Sequence, residues 1–246
     1  MGRTIVITSG KGGVGKTTTT ANIGAALANG GANVLLIDSD IGLRNLDLIM
    51  GLENRVIFDI VDVLEGRCRI KQAIVKDKKN ERLQLLPASQ TRDKSAINEK
   101  QMRSLLDELR SSYDYILIDC PAGIEQGFKN AIAGADEAII VCTPEVASIR
   151  DADRVIGLLA SSDVNHIKLV VNRYNYDLVK RGDMLTVKDI EEILGVKAIG
   201  VIPDDEMVVR SSNIGEPIVN MVRSLAGKAY QDIAERLAGR DIPLNL

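Results

Sequence analysis

Two lysines, Lys11 and Lys16, lie within one glycine-rich run: Gly10-Lys11-Gly12-Gly13-Val14-Gly15-Lys16-Thr17-Thr18. The run fits G-x-x-x-x-G-K-[ST], a loop whose successive backbone N–H groups cradle phosphate oxygens. Its glycines let the backbone come close to an anion. Lys16 is placed to reach the β- and γ-phosphates, and the Thr17 hydroxyl to ligate Mg²⁺. The β-branched residues 3–9 predict a strand before the loop. Ala, Ile and Leu at helical spacing over 17–29 predict a helix after it, whose N-terminus adds favourable partial charge. Lys11 is a second cation in the loop. Such a lysine is either a solvated surface charge or a further phosphate contact, in its own chain or a facing subunit.

Carboxylates recur at the ends of other apolar runs. Asp119 closes residues 115–119 and is suited to hold Mg²⁺ opposite Thr17, the alternative being a helix cap or a loop aspartate. Asp38-Ser39-Asp40 closes residues 33–38. Asp38 suits the metal shell, and Asp40 suits the attacking water or, more simply, a turn. Phosphoryl transfer asks mainly for positioning and charge stabilisation, so Lys11, Lys16 and Asp40 suffice for hydrolysis. Gly123, in Pro121-Ala122-Gly123, is placed to offer a backbone N–H to the γ-phosphate, or simply to turn the chain. Asn172 pairs a donor with an acceptor, matching the adenine N6/N7 edge, and no N-K-x-D run favours guanine. Backbone groups near Pro203, Asp204 and Asp205 complete a candidate base pocket.

These residues need a scaffold that brings strand ends together. Apolar runs at 33–38, 83–86, 115–119, 138–142, 167–172 and 197–202 alternate with helical patterns at 58–64, 98–110, 148–160, 186–194 and 219–237. Near-continuous apolar strands separated by helices predict an α/β fold: a mostly parallel twisted sheet with helices on both faces. Ligands of such sheets bind beyond the strands' carboxyl ends, where Asp38, Asp119, Asn172 and Pro203 all fall. No repeat or low-complexity linker interrupts the pattern, so residues 1–246 read as one P-loop domain.

Composition narrows the classes. The chain has 246 residues and is 45% hydrophobic but 3% aromatic, so its core is aliphatic. Its 31 Lys and Arg against 34 Asp and Glu argue against a surface wholly given to nucleic acid. Cys68, Cys120 and Cys142 form no C-x-x-C, and a reducing cytosol fits them. The one histidine, His166, belongs to no catalytic motif. No apolar run approaches the length of a membrane span.

The run K-G-G-V-G-K-T-T resembles the deviant Walker A motif of the ParA–MinD ATPases. Residues 37–47, 86–94, 121–125, 181–185, 200–203 and 215–217 extend the resemblance over nearly the whole chain, toward its MinD branch. The resemblance implies ATP and Mg²⁺ as cofactors and an ATP-dependent homodimer in which Lys11 serves the partner subunit's nucleotide. It implies slow hydrolysis stimulated by MinE, recruitment of MinC, and a peripheral place on the cytoplasmic face of the inner membrane. Arg44, Asp47, Asp151 and Asp153 match positions near the family's partner-binding surface. The family usually ends in a short basic amphipathic helix, whereas residues 241–246 lack a Lys/Arg-rich face opposite a Phe/Leu face. The expectation is a chain without that membrane helix. Nearby alternatives are a DNA-partition ATPase, needing a basic surface, and an iron–sulfur-linked ATPase, needing paired interface cysteines.

Overall fold

The computed structural model describes residues 2–93, 96–162, 164 and 166–244. Lys94 of the resemblance and Asn245 and Leu246 of the chain's ending lie outside the described residues.

In chain order the elements are β1 (Arg3–Thr8), α1 (Lys16–Asn29), β2 (Val34–Asp38), α2 (Leu46–Ile49), α3 (Ile60–Leu64) and α4 (Ile70–Ala73). Then come β3 (Val75–Lys76), β4 (Leu83–Leu86), α5 (Glu99–Leu109), β5 (Tyr115–Asp119), α6 (Gln126–Ile132), β6 (Glu137–Cys142) and α7 (Val146–Ala160). The last are β7 (His166–Tyr174), α8 (Tyr176–Arg181), α9 (Val187–Leu194), β8 (Ala198–Pro203), α10 (Met207–Ile214) and α11 (Leu225–Leu237). The strands form one sheet in the order β3-β4-β2-β5-β1-β6-β7-β8. Every pairing is parallel except the short β3 against β4.

Side chains alternate across the sheet, and so divide two cores. Val6 joins the face covered by Met102, Leu106, Phe128, Ile149, Val155 and Ile190, from α5, α6, α7 and α9. Ile5 and Ile7 join the opposite face, covered by Ile23 and Leu27 of α1 and Tyr230 and Ile233 of α11. Each such fully buried aliphatic side chain stabilises the fold by about 1.5–3 kcal/mol relative to exposure. That two-sided burial is why the strands read as unbroken apolar runs rather than alternating ones.

Local chemistry sets the helix starts. Asn98 accepts from Gln101 N at 3.0 Å and opens α5. Thr186 accepts from Asp189 N at 3.1 Å and opens α9, which Gly195 closes in the left-handed conformation. One expected helix is divided. Residues 219–237 are not a single helix: Ile218–Asn220 is a 3-10 turn, Arg223 takes φ 70°, and α11 begins after Ser224. Two distant residues impose the break. Asn22 Oδ1 accepts from Val219 N at 3.0 Å, and Asp205 Oδ2 accepts from Ser224 Oγ at 2.8 Å and Ala226 N at 3.2 Å. The short helices α2, α6, α8 and α10 carry too little apolar periodicity for sequence patterning to isolate them.

Candidate functional site

The loop after β1 is held tightly. Ser9 Oγ donates to the Lys11 carbonyl at 2.7 Å. Gly13 and Gly15 take φ of 77° and 97°, a conformation that a side chain strains. Gly15 is the N-cap of α1 and offers no side-chain hydrogen bond, so the first-turn N–H groups are presented to the crevice. Lys16 is buried at the base of the loop, whereas Lys11, Gly12 and Gly13 are exposed at its rim. Thr17 and Thr18 are half-buried. The cradle fits an anion: uncapped N–H donors, a helix N-terminus and a lysine converge there.

Beside it stand two buried carboxylates. β2 and β5 are neighbours, and their register sets Asp38 against Asp119. Burial raises the pKa of both. The Asp119 charge raises Asp38 further, while the Thr17 hydroxyl and the Lys16 ammonium hold Asp119 back. Paired buried carboxylates next to Thr17 fit a hard divalent cation, which would relieve their repulsion. Among the described residues no group of three or more His, Cys, Asp or Glu side chains could hold a metal ion. Mg²⁺ suits such a site because it keeps waters and takes phosphate oxygens.

Asp38 also shapes the next loop. Its Oδ1 accepts from Asp40 N at 3.0 Å and its Oδ2 from Leu46 N at 3.2 Å. The turn that follows closes on the Asp40 carbonyl, which accepts from Leu43 N at 3.1 Å and Arg44 N at 3.3 Å. The half-buried Asp40 lies close enough for its charge to raise both neighbouring carboxylates. Gly123 takes φ 93° in the turn after β5. That turn faces the loop: a Cβ on Gly12 would stand 3.8 Å from the Ala122 Cβ.

Other residues stand differently from expectation. Asn172 reaches the crevice, yet its Nδ2 donates to the Val14 carbonyl at 2.7 Å, so part of its amide is committed to the loop. Pro203 ends β8 beside Tyr174. The Asp204 N–H is committed within the fold, donating to the Tyr174 carbonyl at 3.1 Å, and the Asp205 carboxylate pins the starts of α10 and α11. Asp47 needs correction as a surface contact. It is 0% exposed, accepts from Leu48 N at 3.0 Å and lies 2.6 Å from the half-buried Arg44. Leu43 and Leu48 are the large hydrophobic side chains which that segment exposes. Asp153 is exposed on α7, while Asp151 packs on the loop. There a Cβ at Gly10 would stand 2.3 Å from the Asp151 carbonyl oxygen. Gly10 is therefore required by helix packing as well as by phosphate.

Thr20 went unrecognised in the sequence. Its Oγ1 donates to the Lys16 carbonyl at 3.0 Å and to Asp119 Oδ1 at 3.2 Å, tying α1 to β5. Its place one helical turn after Lys16 was the available signal. Cys120 and Cys142 are buried thiols, each pushed by burial up to about 12, and serve as core.

A family model described as an AAA domain matches residues 2–178. The septum site-determining protein MinD of Synechocystis sp. is 57% identical, over 99% of this chain and 92% of that protein. The chain belongs to the MinD family. Its function is accordingly that of a Min-system ATPase, which decides against the partition and iron–sulfur alternatives. The MinC:MinD cell division protein complex of Aquifex aeolicus matches with TM-score 0.93 and 54% identity, over 99% of each chain. The MinD of Pyrococcus horikoshii, complexed with Mg-ADP, matches with TM-score 0.88 and 31% identity, over 96% of each chain.

Proposed function

We propose that residues 1–246 act as one ATPase domain that pairs with a second copy on binding ATP and separates after hydrolysis. The exposure of Lys11 carries this reading: Lys16 already serves the cradle from a buried position, while Lys11 stands at the rim where a facing subunit's phosphates would lie. In this mechanism the N–H groups of residues 12–18 bind and orient the phosphate chain, and Lys16 neutralises it. Thr17, Asp119 and Asp38 would hold Mg²⁺, which when bound offsets charge on the β- and γ-oxygens. Asp40 orients the water, and Gly123 presents a backbone N–H near the terminal phosphate.

We propose that the dimer recruits MinC and that MinE raises a slow intrinsic hydrolysis rate. The support is the MinC:MinD complex of the Aquifex relative, together with the exposed Leu43, Leu48 and Asp153 beside the site. A peripheral place on the inner membrane's cytoplasmic face goes with that role; among the described residues no helix is long and apolar enough to cross a membrane.

Size-exclusion chromatography of wild type and Lys11→Ala, each with Mg-ADP and with Mg-ATP, tests the reading. Wild type is expected to shift to a dimer only with ATP, and Lys11→Ala to bind ATP yet stay monomeric. A wild type that never shifts with ATP overturns the switch.

A further inference from the structure

Asn172 joins two parts of the molecule that are far apart in sequence. It ends the buried run of β7 at 7% exposure, and its Nδ2 donates at 2.7 Å to the carbonyl of Val14, in the middle of the phosphate loop. A Cβ on Gly15 would stand 2.3 Å from the same Nδ2, so amide and loop backbone touch with no room for a side chain between them. β7 is distorted just there. Arg173 takes φ 56°, and the register with β8 shifts between Val171 and Tyr174. A left-handed residue other than glycine is costly and persists where its surroundings over-determine it.

The peptide between Val14 and Gly15 is planar and trans, so the Gly15 N–H points opposite to the Val14 carbonyl. Holding that carbonyl toward Asn172 directs the N–H the other way. A turned-over carbonyl would instead place negative partial charge among the anion-binding donors.

We infer that Asn172 is a positioning residue for the phosphate loop: it sets the loop for the polyphosphate chain whatever base is attached. This rests on the reading that residues 10–18 bind nucleotide phosphates. It differs from adenine recognition by Asn172, which concerns the base alone. The two roles separate with a ligand that has no base.

Calorimetric binding of Mg²⁺–tripolyphosphate, Mg-ATP and Mg-GTP would be measured for wild type, Asn172→Ala and Asn172→Asp. Both variants are expected to weaken tripolyphosphate and ATP alike, by roughly tenfold, from loss of a buried hydrogen bond. Asn172→Asp sets a carboxylate oxygen against the Val14 carbonyl and is expected to be the worse. Arg173→Val and Arg173→Gly leave the amide in place. The β-branched residue resists φ 56° and is expected to weaken tripolyphosphate, whereas glycine is expected to bind as wild type. The Arg173 pair decides the matter if the Asn172 variants do not fold. Tripolyphosphate affinity within about twofold of wild type in every folded variant overturns the inference. So does a wild type that binds ATP but not tripolyphosphate, because the loop is then not set for phosphate. A wild type that binds neither overturns the phosphate-loop reading itself.

Discussion

The Asp40 backbone is itself bonded into the loop after β2. Its N–H donates to Asp38 and its carbonyl closes the turn onto Leu43 and Arg44, bonds that alanine keeps. Asp40→Ala is expected to bind Mg-ATP as wild type does while hydrolysis falls by about 10²–10⁴-fold, the range for losing a positioned base. Phosphate release beside calorimetric binding measures both; unchanged hydrolysis would remove Asp40 from the reaction. Asp47 shows the converse case. The family resemblance set it near a partner-binding surface, but the carboxylate is fully buried against Leu48 N and Arg44, and burial raises its pKa. Whether a charged side chain faces solvent depends on what the rest of the chain packs over it, which one-dimensional patterning does not contain.

At the scale of elements, the glycines of the loop answer to two demands at once. Close approach to phosphate was legible from the motif. Contact with α7 was not, because Asp151 is remote in sequence and meets Gly10 only when the helix lies across the loop. A methyl at position 10 would stand 2.3–2.5 Å from the carbonyl and Cβ of Asp151, so α7 or the loop has to move. Gly10→Ala is expected to lower stability by about 1–3 kcal/mol, the usual cost of overpacking. It should also weaken ATP binding, and thermal melts with and without Mg-ATP would show both effects. A variant with wild-type melting in both states would contradict this account of the contact. The break in the helix expected over 219–237 has the same origin. Its residues were periodic enough to read as one helix, but Asn22 and Asp205 capture backbone groups within it.

Across the whole molecule, β1, β6, β7 and α11 are joined away from the site by one buried carboxylate. Glu137 accepts from Arg3 Nε at 2.6 Å and from Lys168, and Arg3 also donates to the Leu237 carbonyl at the end of α11. Burial alone would raise the Glu137 pKa, but the Arg3 and Lys168 bonds outweigh it and lower the value to about 2. A depressed carboxylate stabilises the fold above its ordinary pKa of 4.5, and that contribution is lost as pH falls from 4.5 through about 2. Glu137→Gln is expected to be less stable than wild type at neutral pH by about 2 kcal/mol, with solvent screening at the partly exposed Arg3 and Lys168 limiting the figure. The gap should narrow towards about pH 3, since protonation costs wild type what the variant has already lost. Urea midpoints at both pH values measure it, and a gap that stayed constant would place the stabilisation elsewhere.

Apolar patterning and one local motif were enough to specify the parallel α/β sheet and which strand ends carry the phosphate loop, Asp38, Asp119 and Asn172. They could do so because burial on both faces writes each strand as an apolar run, and because the loop's chemistry is local. The folded chain alone reveals that Asp38 lies directly beside Asp119, that Asn172 grips Val14, that Thr20 ties Lys16 to Asp119 and that Asp47 is buried. Those facts depend on strand order, crossover geometry and the packing of α7 and α11. They are set by contacts between residues distant in the chain, and no local spacing records such contacts.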